Sequence, residues 1–113
     1  MKLVKAYIRY RKIDEVYKML KSNGFCCMTM ADCEGTGNYS DHEKQHISKK
    51  YPFADAYRVI KLEILIRKSK VAQVIKLIRK SARTGYKGDG MIIVSKVDEV
   101  YKIRNDADSI DLI

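Results

Sequence analysis

The chain has 113 residues, 46% of them hydrophobic and 33% charged, the composition of one globular domain covering residues 1–113 and not of a disordered or fibrous chain. With 23 Lys and Arg against 14 Asp and Glu, the net charge is +9, which favours anionic partners such as nucleotides or acidic surfaces. No stretch reaches the ~18 apolar residues of a membrane span, no signal-peptide core opens the sequence, and three cysteines cannot form a closed disulfide framework, so a cytoplasmic protein without membrane insertion is expected.

In chain order, Leu3 to Arg9 reads as a strand. Ile13, Val16, Tyr17 and Leu20 then fall at i, i+3, i+4 and i+7, one face of a helix. Asn23-Gly24 supplies a helix stop. Phe25 to Asp32 reads as a second strand, in which Cys26 and Cys27 would point to opposite faces and act as small apolar residues. Gly35 to Ala56 is polar, lacks periodicity and holds the only proline. A loop of this kind, about residues 37–56, is long for a compact domain and points to function.

Arg58 to Arg67 reads as a long strand, and Val71, Val74, Ile75 and Ile78 repeat the helical spacing of the first half, with Ser69 as a candidate cap. A glycine-rich turn, Thr84 to Gly90, leads into a strand from Met91 to Ser95. A brief strand is expected around Tyr101 to Arg104. Two βαβ units in tandem define an α+β, ferredoxin-like βαββαβ sandwich: an antiparallel sheet, two helices on one face, and the long loop between strands 2 and 3. The sheet face without helices invites self-association if its residues are apolar.

Three groups of residues carry candidate chemistry. The glycines of the Thr84–Gly90 turn let backbone N–H groups approach phosphate oxygens. Between Ile64 and Gly88 there is no acidic residue, and Lys102 and Arg104 alternate along the expected last strand, so they would share a side as a phosphate clamp. Gly35-Thr36-Gly37 opens the long loop. Within the loop, Asp41-His42-Glu43 and His46 precede Lys49-Lys50-Tyr51. His42 and His46 are the candidates for a Zn²⁺ site, although exposed loop histidines are usually solvated and no metal is expected. No Ser/His/Asp order and no Walker spacing is present, so an enzyme is not expected. The RNP-type aromatic run of an RNA-binding ferredoxin-like domain is missing too, so nucleic acid is not an expected partner.

Several pieces together resemble the PII signal-transduction family across nearly the whole chain. They are Ile8-Arg9, Lys12 to Val16, Gly24, Met28-Thr29, Gly35-x-Gly37, Lys61 to Ile64, Ala82-Arg83-Thr84-Gly85, Gly88-Asp89-Gly90 and Ile103-Arg104. The resemblance implies a homotrimeric, non-enzymatic regulator of nitrogen metabolism with an adenine nucleotide (ADP, AMP or ATP) between subunits. It implies that Thr29, Gly37 and Glu63 lie near adenine or ribose, with Gly35 also among the nucleotide-binding residues, that Gly88, Asp89 and Gly90 line the phosphate turn, and that Lys102 and Arg104 contact phosphate. It also implies that the long loop, with Asp41, His42, His46, Lys49, Lys50 and Tyr51, docks on a membrane transporter or metabolic enzyme.

The departures from the family pattern shape the expectation. Met91 stands where the family has a phosphate-binding lysine, Asn38 and Tyr39 replace an Arg-Gln pair, and Val59 replaces a lysine, with Arg58 beside it. Each lost cation removes a charge-assisted contact of about 1.5–3 kcal/mol in a buried setting. A preference for ADP or AMP over MgATP, and little use of Mg²⁺ or 2-oxoglutarate, is therefore expected. The rival within the family is a sensor of bicarbonate or a metal ion serving a non-ammonium transporter.

Overall fold

The computed structural model describes residues 1–35, 58–104 and 106. Residues Gly37, Asp41, His42, His46, Lys49, Lys50 and Tyr51 lie outside the described residues. In order, the elements are β1 (Lys2–Arg9), α1 (Ile13–Ser22), β2 (Met28–Glu34), β3 (Arg58–Ile66), α2 (Val71–Ala82) and β4 (Gly90–Lys96). The strands form one sheet in the order β2-β3-β1-β4, and each neighbouring pair is antiparallel. This is the ferredoxin-like βαββαβ architecture.

The alternation expected for one covered face is present. Val4, Ala6 and Ile8 on β1 and Leu62, Ile64 and Ile66 on β3 are buried, while their sequence neighbours are partly exposed. Against them pack Val16 and Leu20 of α1 and Val74 and Ile78 of α2, in one cluster with Phe25, Met28 and Ile92 at its margin. The matched spacing of the two helices thus places equivalent residues on one core. Shortening Ile78 to valine is expected to cost about 0.5–1.5 kcal/mol, read as a lower urea midpoint with unchanged slope.

The opposite face is mixed. Register partners there include Tyr7 with Met91, Leu3 with Leu65, and Lys5 with both Glu63 and Ile93. Met91 and Ile93 are among the exposed large hydrophobic residues.

Three local expectations are corrected. The second strand begins at Met28, not Phe25, and runs to Glu34. The cause is the end of α1: the Gly24 amide donates to Lys21 O at 3.1 Å and the Phe25 amide to Leu20 O at 3.0 Å, with Gly24 at φ 92°. This Schellman motif holds Phe25 against the helix and delays the strand. Cys26 and Cys27 consequently sit in irregular backbone, exposed and with their sulfurs 3.1 Å apart, and not on opposite faces of a strand. Ser69 does not cap α2; it lies in a 3-10 turn, Lys68–Lys70, and Lys70 precedes the helix without a side-chain capping bond.

At the C-terminal end, Tyr101 makes an isolated bridge and Lys102 to Arg104 form no strand. Ile103 is fully exposed. A strand needs a neighbour to pair with, and here the described sheet ends at β4.

Candidate functional site

The turn between α2 and β4 is built around one carboxylate. Asp89 Oδ2 accepts from the amides of Thr84 at 2.9 Å and Gly85 at 2.8 Å. Its Oδ1 accepts from the Thr84 hydroxyl and from Arg9 Nε, the latter at 3.1 Å. The Tyr86 amide in turn donates to Thr84 Oγ1 at 3.2 Å. Arg9 Nη2 also donates to Lys87 O, so β1 braces the limb of the turn that leads into β4. Gly85, Gly88 and Gly90 have φ of 89°, 97° and 103°, a left-handed region that disfavours side chains.

Two forces act on the Asp89 carboxyl. Burial pushes its pKa up, but the Thr84 hydroxyl, the Gly85 and Thr84 amides and Arg9 together hold it below the ordinary value. The group is therefore a fixed anion that organises the turn, and not a free ligand for a metal. Beside the turn lies a cleft of about 240 Å³, lined by Ile8, Ile78 and Ala82 and by Arg79, Arg83 and Asp89.

The remaining expected site residues divide into separate groups. Thr29 and Glu63 are register partners on β2 and β3, with Lys61 Nζ 3.7 Å from Glu63. Gly35 is buried just beyond β2. Gly88, Asp89 and Gly90 sit at the other edge of the sheet, next to β1 and β4. In the strand order β2-β3-β1-β4, three strand spacings of ~4.8 Å separate Thr29 on β2 from Gly90 on β4 within one chain, and two separate Glu63 on β3 from it. Lys102 and Arg104 are exposed, with no hydrogen bond to the turn among the described residues.

Arg9 is the participant that motif reading overlooked. It matched only as the second half of Ile8-Arg9, and its contact with Asp89 spans 80 positions. The available signal was no more than a cation at the end of a strand and one acidic residue, Asp89, within the glycine-rich turn.

A second ion pair stands where the chain enters and leaves residues 36–57. Arg58 donates in bidentate fashion to Asp32, Nε to Oδ1 at 2.8 Å and Nη2 to Oδ2 at 2.9 Å, and stacks on Tyr10 with its Cζ 4.0 Å from the ring centroid. The Arg58 hydrogen bonds draw the Asp32 carboxyl below its ordinary value. Since about half of the Asp32 side chain is exposed, Asp32→Asn is expected to change stability by at most about 1 kcal/mol at pH 7, measured by urea unfolding. Val59, beside Arg58, is buried.

An antiparallel βαββαβ sandwich with a carboxylate-pinned glycine turn at one sheet edge defines a small ferredoxin-like α+β domain. A family model described as Nitrogen regulatory protein P-II matches residues 1–107. The chain is 33% identical over 113 residues to a Nitrogen regulatory protein P-II of Mesorhizobium japonicum, covering all of both chains. It is 34% identical over 113 residues to one of Bradyrhizobium diazoefficiens, again covering both chains fully. It is 36% identical over 110 residues to one of Porphyra purpurea, covering 96% of this chain and 97% of that one. The chain belongs to the nitrogen regulatory protein P-II family, a family of signalling regulators.

Proposed function

We propose that this protein is a non-enzymatic, homotrimeric regulator that binds an adenine nucleotide between subunits. It would then control a transporter or metabolic enzyme through the segment of residues 37–56. The observation that carries this reading is the Asp89-centred turn, whose rigidity presets backbone donors at a basic edge of the sheet. The amides of Thr84, Gly85 and Tyr86 are already engaged inside the turn. Phosphate would therefore meet those of Lys87, Gly88 and Asp89.

A site between subunits fits the distribution of the residues. One chain holds Thr29 and Glu63 at one side of its sheet and the glycine turn at the other. A neighbouring copy would join one group to the other, and Lys102 and Arg104, exposed in the single chain, would close on the phosphates. The exposed Met91 and Ile93 give the open sheet face apolar surface to bury in such an assembly. Coupling to a partner requires that the nucleotide bind the two states of the regulatory segment with different affinity.

Calorimetric titration with ADP, AMP and ATP, with and without Mg²⁺ and 2-oxoglutarate, tests the ligand. ADP or AMP is expected to bind more tightly than MgATP, since Met91 supplies no cation where a triphosphate needs one, and 2-oxoglutarate is expected to change little. Tight MgATP binding enhanced by 2-oxoglutarate would overturn this preference. Sedimentation equilibrium tests the trimer, and a monomer at all concentrations would remove the shared site.

A further inference from the structure

We propose that Cys26 and Cys27 form a thiol–disulfide exchange site, closed to a disulfide between adjacent residues by a small disulfide oxidant such as oxidised glutathione. Three observations support it. Both thiols are exposed, and their sulfurs lie 3.1 Å apart, closer than non-bonded sulfur atoms normally rest. Residues 25–27 belong to no helix or strand, so their peptide groups are outside the sheet ladder, which begins at the Met28–Ile64 pair. The third cysteine, Cys33, lies five residues along β2 from Met28, ~17 Å at strand rise, and cannot compete for either sulfur.

The chemistry balances without further reagents. A Cys26 thiolate attacks one sulfur of the oxidant, forming a mixed disulfide and expelling one thiolate. Cys27 then loses its proton to the departing group or to water, attacks the Cys26 sulfur, and expels the second thiolate. Two protein thiols are oxidised and one small disulfide is reduced to two thiols. The hydrogen bond that the Cys27 thiol shares with Cys26 pushes it above its ordinary value, in keeping with a first attack by Cys26 and a resolving step by Cys27.

Adjacent Cα atoms are ~3.8 Å apart, short of the ~4.4–6.8 Å of ordinary disulfides. Closure must therefore twist the intervening peptide, and a strained disulfide of this kind is readily reduced. The twist falls directly before Met28-Thr29, the first rungs of β2 on β3.

The test uses the full chain carrying Cys33→Ser, treated with excess oxidised glutathione and read by intact mass and thiol counting. The expected product has lost two hydrogens, has no free thiol, carries no glutathione, and reverts with dithiothreitol. Adding Cys26→Ser or Cys27→Ser should instead leave a stable glutathione adduct on the remaining thiol. Two retained thiols, glutathione adducts in the two-thiol protein, or a cross-linked pair of chains would each overturn the proposal. Faster amide exchange over Met28–Met30 in the oxidised protein is expected, and unchanged exchange would overturn the link to β2. None of these readouts depends on nucleotide binding.

Discussion

Gly90→Ala is expected to cost about 3–5 kcal/mol, enough to lower the thermal midpoint by more than about 10 °C. Gly90 opens β4 at φ 103°, and a Cβ there would stand 1.7 Å from the carbonyl oxygen of Tyr7 and 2.9 Å from its carbonyl carbon. Both obstacles are backbone atoms of the central strand β1, so no rotamer change relieves the clash. Either β4 separates from β1 at the Ile8–Gly90 rung, or the turn before it deforms. Gly24→Ala is the matched control. Its φ is 92°, yet nothing lies within 4 Å of the added Cβ, so only the left-handed backbone penalty of about 1–2 kcal/mol remains. Thermal unfolding of the two variants side by side separates collision from conformation, and equal losses would show that the Tyr7 carbonyl yields.

Asp89→Asn is expected to destabilise by about 2–3 kcal/mol at pH 7. The amide keeps the shape but offers one acceptor oxygen where the carboxylate serves Thr84, Gly85 and Arg9 with two. The sign of the pH dependence follows from the depressed carboxyl. Its contribution is fully present above the unfolded-state value of ~3.9 and is lost as pH falls through the lower folded-state value. The gap between native and Asn proteins should therefore be widest near neutrality and narrow in acid. Urea unfolding at several pH values checks this, and a gap independent of pH would mean that the charge itself contributes nothing.

Much of the architecture could be read from residue spacing. The Ile13-Val16-Tyr17-Leu20 and Val71-Val74-Ile75-Ile78 sets each belong to a helix, and Val16, Leu20, Val74 and Ile78 are buried. Periodicity reports one face of an element, which is what the core selects. It does not report where an edge strand starts. Phe25 is apolar like a strand residue, but it is held by helix-terminating hydrogen bonds to α1, and β2 has only β3 to set its first rung. The tail failed for the same reason: Tyr101 to Arg104 alternates suitably, yet strand formation needs a partner that the described sheet does not supply.

The candidate site was half legible. Glycines at 85, 88 and 90 mark positive φ, because few other residues tolerate it. Arg9 could not be found from spacing, since a contact across 80 positions leaves no local pattern. The exposed sulfur pair was hidden similarly, because two adjacent cysteines look like apolar filler until the backbone around them is known to be irregular.

The β2–β3 ladder runs unbroken from Met28 opposite Ile64 to Glu34 opposite Arg58. Whatever joins those last two residues leaves and re-enters the fold at one rung, already clamped by Asp32 and Arg58. Doubling the length of such an insert costs only ~0.6 kcal/mol of closure entropy. The sheet therefore works as a socket that accepts inserts of different length and sequence at this rung while the scaffold stays put.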